Sequence, residues 1–251
     1  MMKKLVAYLI PLVFVSALFA LPALAQKTKK PAAAPKSVRV NISKDKVGGE
    51  SSKFLSAVGN WSVVEDGGRK VYAVDGREWL RGNPSRSLAE NARAIYGSRH
   101  EEFIDNVKAF AYFPYSVARE IDDFQNGEIS VNFKMISGKL DKCGGILFNL
   151  KPTGDYLTVR FNGKEDNLVL WTFNKGVRKF VKKGTENMPL ELDKWHEIKI
   201  VVRGTQLEGW LNGKHLLDYT MAEPVSGKIG VWSKTDSVSY FDEFTVTPAT
   251  K

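Results

Sequence analysis

Between Trp195 and Val246 the chain reads WHEIKIVVRGTQLEGWLNGKHLLDY, breaks, and resumes as GKIGVWSKTDSVSYFDEFTV. Asn212-Gly213 separates two apolar runs there. Such a dipeptide is the strongest short-range hairpin signal, because both turn positions require positive φ. Gly204 and the Glu223–Gly227 loop divide the rest into further short strand-like runs. Sequential hairpins of this kind commit the chain to an antiparallel sheet.

Upstream, the same grammar repeats. Glu128–Met135 (EISVNFKM) alternates strictly, with Ile129, Val131, Phe133 and Met135 on one side and polar residues on the other. That is a strand with one buried and one wet face. Cys143–Leu150, Tyr156–Phe161, Leu168–Phe173 and Val177–Val181 follow, joined by Pro152-Thr-Gly-Asp155, Asn162-Gly163 and Asn174-Lys-Gly176. All three connections carry turn chemistry. Val38–Ile42, Trp61–Val64 and Lys70–Val74 are read as earlier strands. A dozen or so short strands without a βαβ rhythm indicate an all-β antiparallel jelly-roll sandwich. One segment departs from this pattern, a helical insertion at about residues 85–106. In it Ser87 and Glu90 have capping-box spacing, and Gly97 ends the helix.

The N-terminus has its own logic. Met1–Lys4 is a positive region and Leu5–Leu21 an apolar one, and Ala23-Leu24-Ala25 is a small-x-small cleavage site. Residues 1–25 are therefore expected to be a signal peptide, with the mature chain exported, periplasmic or secreted, and not an integral membrane protein. The absence of a Cys after the site argues against a lipoprotein anchor. Residues 26–37 (QKTKKPAAAPKS) form a Lys/Pro/Ala-rich flexible tail, solvated or resting on an anionic envelope polymer. Residues 38–251 are expected to be a single sandwich domain, a length ordinary for that architecture.

The net charge of +9 comes from 37 basic and 28 acidic residues. Six of those lysines (3, 4, 27, 29, 30 and 36) lie in the leader and tail, so the domain keeps a surplus of only three. That is too little for a phosphate-binding face, and nucleic acid is not expected as a partner. Cys143 is the only cysteine, which rules out an intrachain disulfide. We read it as a small, semi-buried strand residue. His100, His196 and His215 lack metal-ligand spacing. Phosphate-loop, dinucleotide, nucleophile-elbow and His-Glu-x-x-His motifs are all missing.

The closing motifs resemble a known group. Trp195-His196, Gly209-Trp210-Leu211-Asn212-Gly213-Lys214, Gly227–Lys234 and Asp236–Phe244 are similar to the last strands of concanavalin A-like lectin/glucanase sandwiches. Their flavour is that of the laminin-G-like and 3-keto-disaccharide hydrolase-like domains of exported bacterial proteins. Gly127–Lys134, Gly144–Phe148, Asp155–Arg160 and Glu165–Asn167 fit the same pattern, which spans roughly Gly59 to Val246. The resemblance implies a concanavalin A-like jelly roll. It does not choose among lectins, hydrolases and adhesion modules.

Laminarinase-type hydrolases on this fold carry Glu-x-Asp-x-x-Glu or Glu-x-Asp-x-Glu, and a retaining mechanism needs two carboxyls about 5 Å apart. Here Glu120-Ile-Asp-Asp-Phe-Gln125 ends in Gln, which cannot transfer a catalytic proton, and the segment lies in a loop. We read it as coincidence.

The candidate ligand-binding residues are Tyr156, Arg160, Asn162, Glu165, Asp166, Asn167, Trp171, Trp232 and Asp236. Arg, carboxylates, amides and aromatic rings are what a sugar face requires. The competing reading of the row from Tyr156 to Trp171 is a turn network, and that of Trp232 is a core tryptophan. Asp242-Glu243 could ligate a structural calcium ion, or simply be outward charges. No other cofactor is expected.

The expected function is an exported, non-catalytic carbohydrate-binding or surface-interaction domain with an oligo- or polysaccharide partner. The alternatives are a glycoside hydrolase or lyase using carboxylates such as Glu165 and Asp166, and a module that binds a protein partner.

Overall fold

The computed structural model describes residues 36–77, 88–101 and 113–249. In chain order the strands are β1 (Val38–Arg39), β2 (Phe54–Val58), β3 (Trp61–Asp66), β4 (Arg69–Asp75), β5 (Tyr115–Ala118), β6 (Gly127–Ser137), β7 (Cys143–Leu150) and β8 (Tyr156–Asn162). They continue as β9 (Asn167–Asn174), β10 (Val177–Thr185), β11 (Trp195–Arg203), β12 (Gln206–Leu211), β13 (Lys214–Thr220), β14 (Lys228–Trp232) and β15 (Val238–Pro248). Helix α1 (Leu88–Tyr96) leads into a 3-10 turn at Gly97–Arg99.

The strands form two antiparallel sheets. The first runs β13-β12-β11-β6-β15-β4-β3, with β1 beside β15, and the second runs β10-β9-β8-β7-β14-β5-β2. This is the jelly-roll sandwich. Turn chemistry explains much of the register. Asn212 and Gly213 both have positive φ (48° and 74°), as do Lys175 and Gly176 (48° and 76°). The tight turns between β12 and β13 and between β9 and β10 are therefore the kind whose twist matches the strands. Asn162-Gly163 differs: Asn162 ends β8, and its side chain accepts from the Lys164 amide at 3.0 Å within a longer turn.

Alternation along each strand sorts side chains between two cores. Ile129, Val131, Phe133, Ile146, Phe148, Val159, Phe161, Leu168, Leu170, Ile198, Ile200 and Val231 fill the space between the sheets. The opposite face of the second sheet has a core of its own, built from Leu55, Val117, Leu147, Tyr156, Phe173 and Trp232 with Ala92 and Ile95 of α1. The helix thus covers part of a sheet face. The structure bears on the rest of the helical insertion only over Gly97–Glu101; residues 85–87 and 102–106 lie outside the described residues.

Three sequence expectations are corrected. The strand read over Val38–Ile42 is regular only at Val38–Arg39; Val40 still donates its N–H to the Phe244 carbonyl at 2.9 Å, and Val40 and Ile42 are buried as the alternation requires. β2 and β5, too short to stand out in the sequence, form one flank of the second sheet. Cys143 is fully rather than partly buried. Burial pushes its thiol up to about 12, so the thiolate is scarce at neutral pH. We expect no reaction with a maleimide or an aromatic disulfide at pH 8 in the native protein, and full labelling after denaturation. No helix among the described residues is long and apolar enough to cross a membrane.

Candidate functional site: the open rim of the second sheet

Tyr156, Thr158, Arg160 and Asn162 alternate with core residues along β8 and therefore share the outer face of the second sheet. Cross-strand pairing sets Phe173, Trp171, Val169 and Asn167 of β9 opposite them in that order. On β10, Arg178 pairs with Phe173, Phe180 with Trp171 and Lys183 with Val169. The Lys175-Gly176 turn fixes this register, so the hairpin places an exposed phenylalanine beside a half-buried tryptophan.

The inner half of this face is closed. Tyr156 stacks on Phe173 at 4.3 Å and accepts from the Trp232 indole N–H at 3.2 Å. Phe113 stacks over Trp232 at 5.9 Å and meets Phe173 edge-on at 4.9 Å. Trp232 has no exposed surface. It is a core tryptophan and not a stacking platform, and Tyr156 is likewise interior rather than a ligand contact.

Asn162 and Asp236 also prove to be structural. Asp236 is 1% exposed. Its carboxylate accepts from the backbone amides of Lys139 (2.6 Å), Leu140 (3.1 Å) and Asp141 (3.0 Å), pinning the turn before β7. Asp141 then receives the Asn162 amide at 2.7 Å, the Thr235 hydroxyl at 2.6 Å and the Lys234 ammonium at 2.8 Å. Burial opposes its ionisation, but Lys234 and these donors hold its pKa below the usual carboxylate value.

Of the residues singled out in the sequence, the outer half brings together Arg160, Glu165, Asn167 and Trp171, and it adds Arg178, Phe180 and Lys234. The buried Arg160 donates to Glu165 at 2.7 Å, to the Asn167 carbonyl at 3.2 Å and to the Asn167 side chain. Lys234 lies 3.7 Å from the other Glu165 oxygen. Burial works against the Glu165 charge, yet Arg160 and Lys234 hold its pKa below the usual value. The Arg178 guanidinium sits 4.3 Å over the Trp171 ring, and Phe180 meets Trp171 edge-on at 5.7 Å. Asp166 instead occupies the turn at φ 50°, where its carbonyl accepts from the Met188 amide.

Several polar atoms on this face lack a partner among the described residues: Tyr115 Oη, Thr158 Oγ1, Arg160 Nε and Trp171 Nε1. Buried polar atoms are nearly always bonded in native proteins, but these four are sealed from the surface and are not offered to an outside ligand. Chemically, the rim exposes an apolar aromatic corner and one ionised carboxylate, Glu165, held from beneath by the buried Arg160. Glu165 and Asp141, the two carboxyls nearest Lys234, are both shifted downward, so neither is poised as a general acid at neutral pH.

Other sequence candidates lie elsewhere. Glu120 pairs with Lys53 and Asp122 with Lys228, in the loop between β5 and β6. Asp242 pairs with Arg69 at 3.1 Å and Glu243 with Arg39. His196 bridges the Glu191 carbonyl and Asn212. Phe180 and Arg178 went unrecognised in the sequence, though the Lys-Gly turn and two-residue period already set them against Trp171.

Comparisons with known proteins fit this architecture. The family model described as a 3-keto-alpha-glucoside-1,2-lyase-like domain matches residues 115–247. No curated protein gave a match. Among solved structures, the carbohydrate-binding module CBM66 from Bacillus subtilis aligns with a TM-score of 0.54 at 12% identity, covering 77% of this chain and 95% of that one. A native glycosidic hydrolase aligns at 0.49 and 13% identity, over 88% and 99% of the two chains. A prokaryotic β-1,3-1,4-glucanase (lichenase) derived from a mouse hindgut metagenome aligns at 0.43 and 15%, over 54% and 71%. At such identities the likeness to the binding module concerns the fold. The family match, running from β5 through β15 over more than half of the sequence, is what places the protein: it belongs to the 3-keto-alpha-glucoside-1,2-lyase-like domain family.

Proposed function

We propose that the protein is an exported, non-catalytic saccharide-binding domain whose ligand lies over Trp171 and Phe180 at the open rim of the second sheet. The carrying observation is the pairing of an accessible aromatic corner with an immobilised polar set, Arg160, Glu165 and Asn167, on one face. Sugar rings present apolar faces and hydroxyl edges, and such a corner receives both. Family membership supports a sugar-directed role, as does a fold shared with a carbohydrate-binding module. Export rests on the N-terminal leader pattern.

A glycan panel presented to the purified protein tests this, with retention and chain cleavage read from the same samples. Trp171→Ala is expected to weaken retention about tenfold, the equivalent of ~1.4 kcal/mol of lost ring stacking. Unchanged retention would move the site off this rim.

A second reading is favoured by one feature, the convergence of Glu165 and Asp141 on Lys234 at 3.7 and 2.8 Å. In a lyase or hydrolase this trio would hold and move a proton, with Lys234 between two carboxylates. Glu165→Gln would then abolish product formation. Product release by the parent protein would replace the non-catalytic reading with this one. Failure of every saccharide to bind would leave a protein partner as the remaining class.

A further inference from the structure

We propose that the rim selects an acidic saccharide, a chain bearing carboxylates such as a polyuronate, laid over Trp171 and Phe180 with its charges against the cations of β10. This rests on the saccharide reading above and names the class of ligand for that same site.

The nine residues of β10, VRKFVKKGT, hold Arg178, Lys179, Lys182 and Lys183 and no acid. The domain as a whole has a surplus of only three positive charges, so this concentration is local. β10 is the outermost strand of its sheet. Register places Arg178 and Lys183 on the Trp171 side, whereas Lys179 and Lys182, paired with Thr172 and Leu170, belong to the other face of this edge strand. Among the described residues only Lys183 has an acidic partner, Glu186 at 2.6 Å. Arg178 faces aromatic rings instead, 4.3 Å from Trp171 and 5.2 Å from Phe113.

Lysines on an edge strand have an ordinary purpose, which is to discourage pairing with a second sheet. That purpose does not call for an exposed phenylalanine. Phe180 is 55% exposed and lies between Arg178 and Lys183 on the Trp171 side, so apolar and cationic surface coincide there. The rim's own carboxylate, Glu165, is already engaged by Arg160 and Lys234.

The test compares a polyuronate with the same polymer after chemical reduction of its carboxyls, and with poly-glutamate as a polyanion lacking sugar rings. Retention is measured for the full-length protein and for an Arg178→Gln, Lys183→Gln variant, with thermal melts to verify folding. The polyuronate should bind about tenfold more tightly than its reduced form, and the preference should fall away when salt rises from about 0.05 to about 0.5 M. The double variant should lose the preference, while Trp171→Ala should weaken both sugar polymers. Equal binding of reduced and native polymer, with an indifferent double variant, would overturn the acidic ligand and leave saccharide binding standing. Equal retention of poly-glutamate would overturn it too, by reducing the surface to charge alone. No retention of either sugar polymer would overturn the saccharide reading itself.

Discussion

Gly230→Ala is expected to prevent the protein from folding to a soluble native state. Gly230 sits within β14, paired with Val117 on one side and Leu147 on the other. A Cβ at this position would lie 1.9 Å from the Ser116 carbonyl oxygen and 2.8 Å from its carbonyl carbon. Both are backbone atoms of a bonded neighbouring strand, so no side chain can turn aside to make room. The strands would have to part, opening β5 and β2 and the second core behind them. The expected cost exceeds ~4 kcal/mol, a magnitude reserved for such buried clashes. Gly213→Ala is the matched control: its φ is +74° and nothing lies within 4 Å, so only about 1 kcal/mol of backbone strain should appear. Soluble yield and urea midpoints measure both. A Gly230→Ala protein with a parental midpoint would refute the close approach of β14 and β5.

Asp236→Ala should be the most damaging change among the polar residues, at about 3–5 kcal/mol. It leaves three backbone amides at 139–141 without their acceptor inside the protein. The damage then propagates: the same turn carries Asp141, which holds Lys234, which in turn approaches Glu165 at the rim. For a domain of this size the melting temperature should fall by roughly 10 °C. Asp236→Asn, which keeps one acceptor oxygen, should lose less. A melting temperature unchanged in the alanine variant would mean that the turn is held by something else.

The fold was legible because its turns are local. Asn212-Gly213 and Lys175-Gly176 set hairpin registers from two residues each, and strict alternation in β6 named its core side without further help. What could not be read was the fate of the other sheet face. Period-two patterning places Tyr156 and Trp232 outside the main core but cannot say that α1 and Phe113 come back to cover them. That contact joins residues far apart in sequence, and it turned two proposed ligand contacts into core. Asp236 was ambiguous for a related reason, since its partners are backbone amides about 95 residues away, and an amide has no signature in sequence. Arg160, Glu165, Asn167 and Trp171 came together because they share one hairpin, where short-range geometry suffices. The chain's chemistry at the rim was therefore readable only as far as that hairpin extends.

The most direct test of the rim is a titration of a soluble oligosaccharide, chosen from the glycan panel, into the parent protein while Trp171 and its neighbours are followed by NMR. The account predicts shifts confined to Trp171, Phe180, Arg160 and the β9–β10 strands, about tenfold weaker binding in Trp171→Ala, and an undisturbed Trp232 indole. Shifts centred on Trp195, Tyr240 or Trp210 of the first sheet, with the β9–β10 signals still, would contradict it.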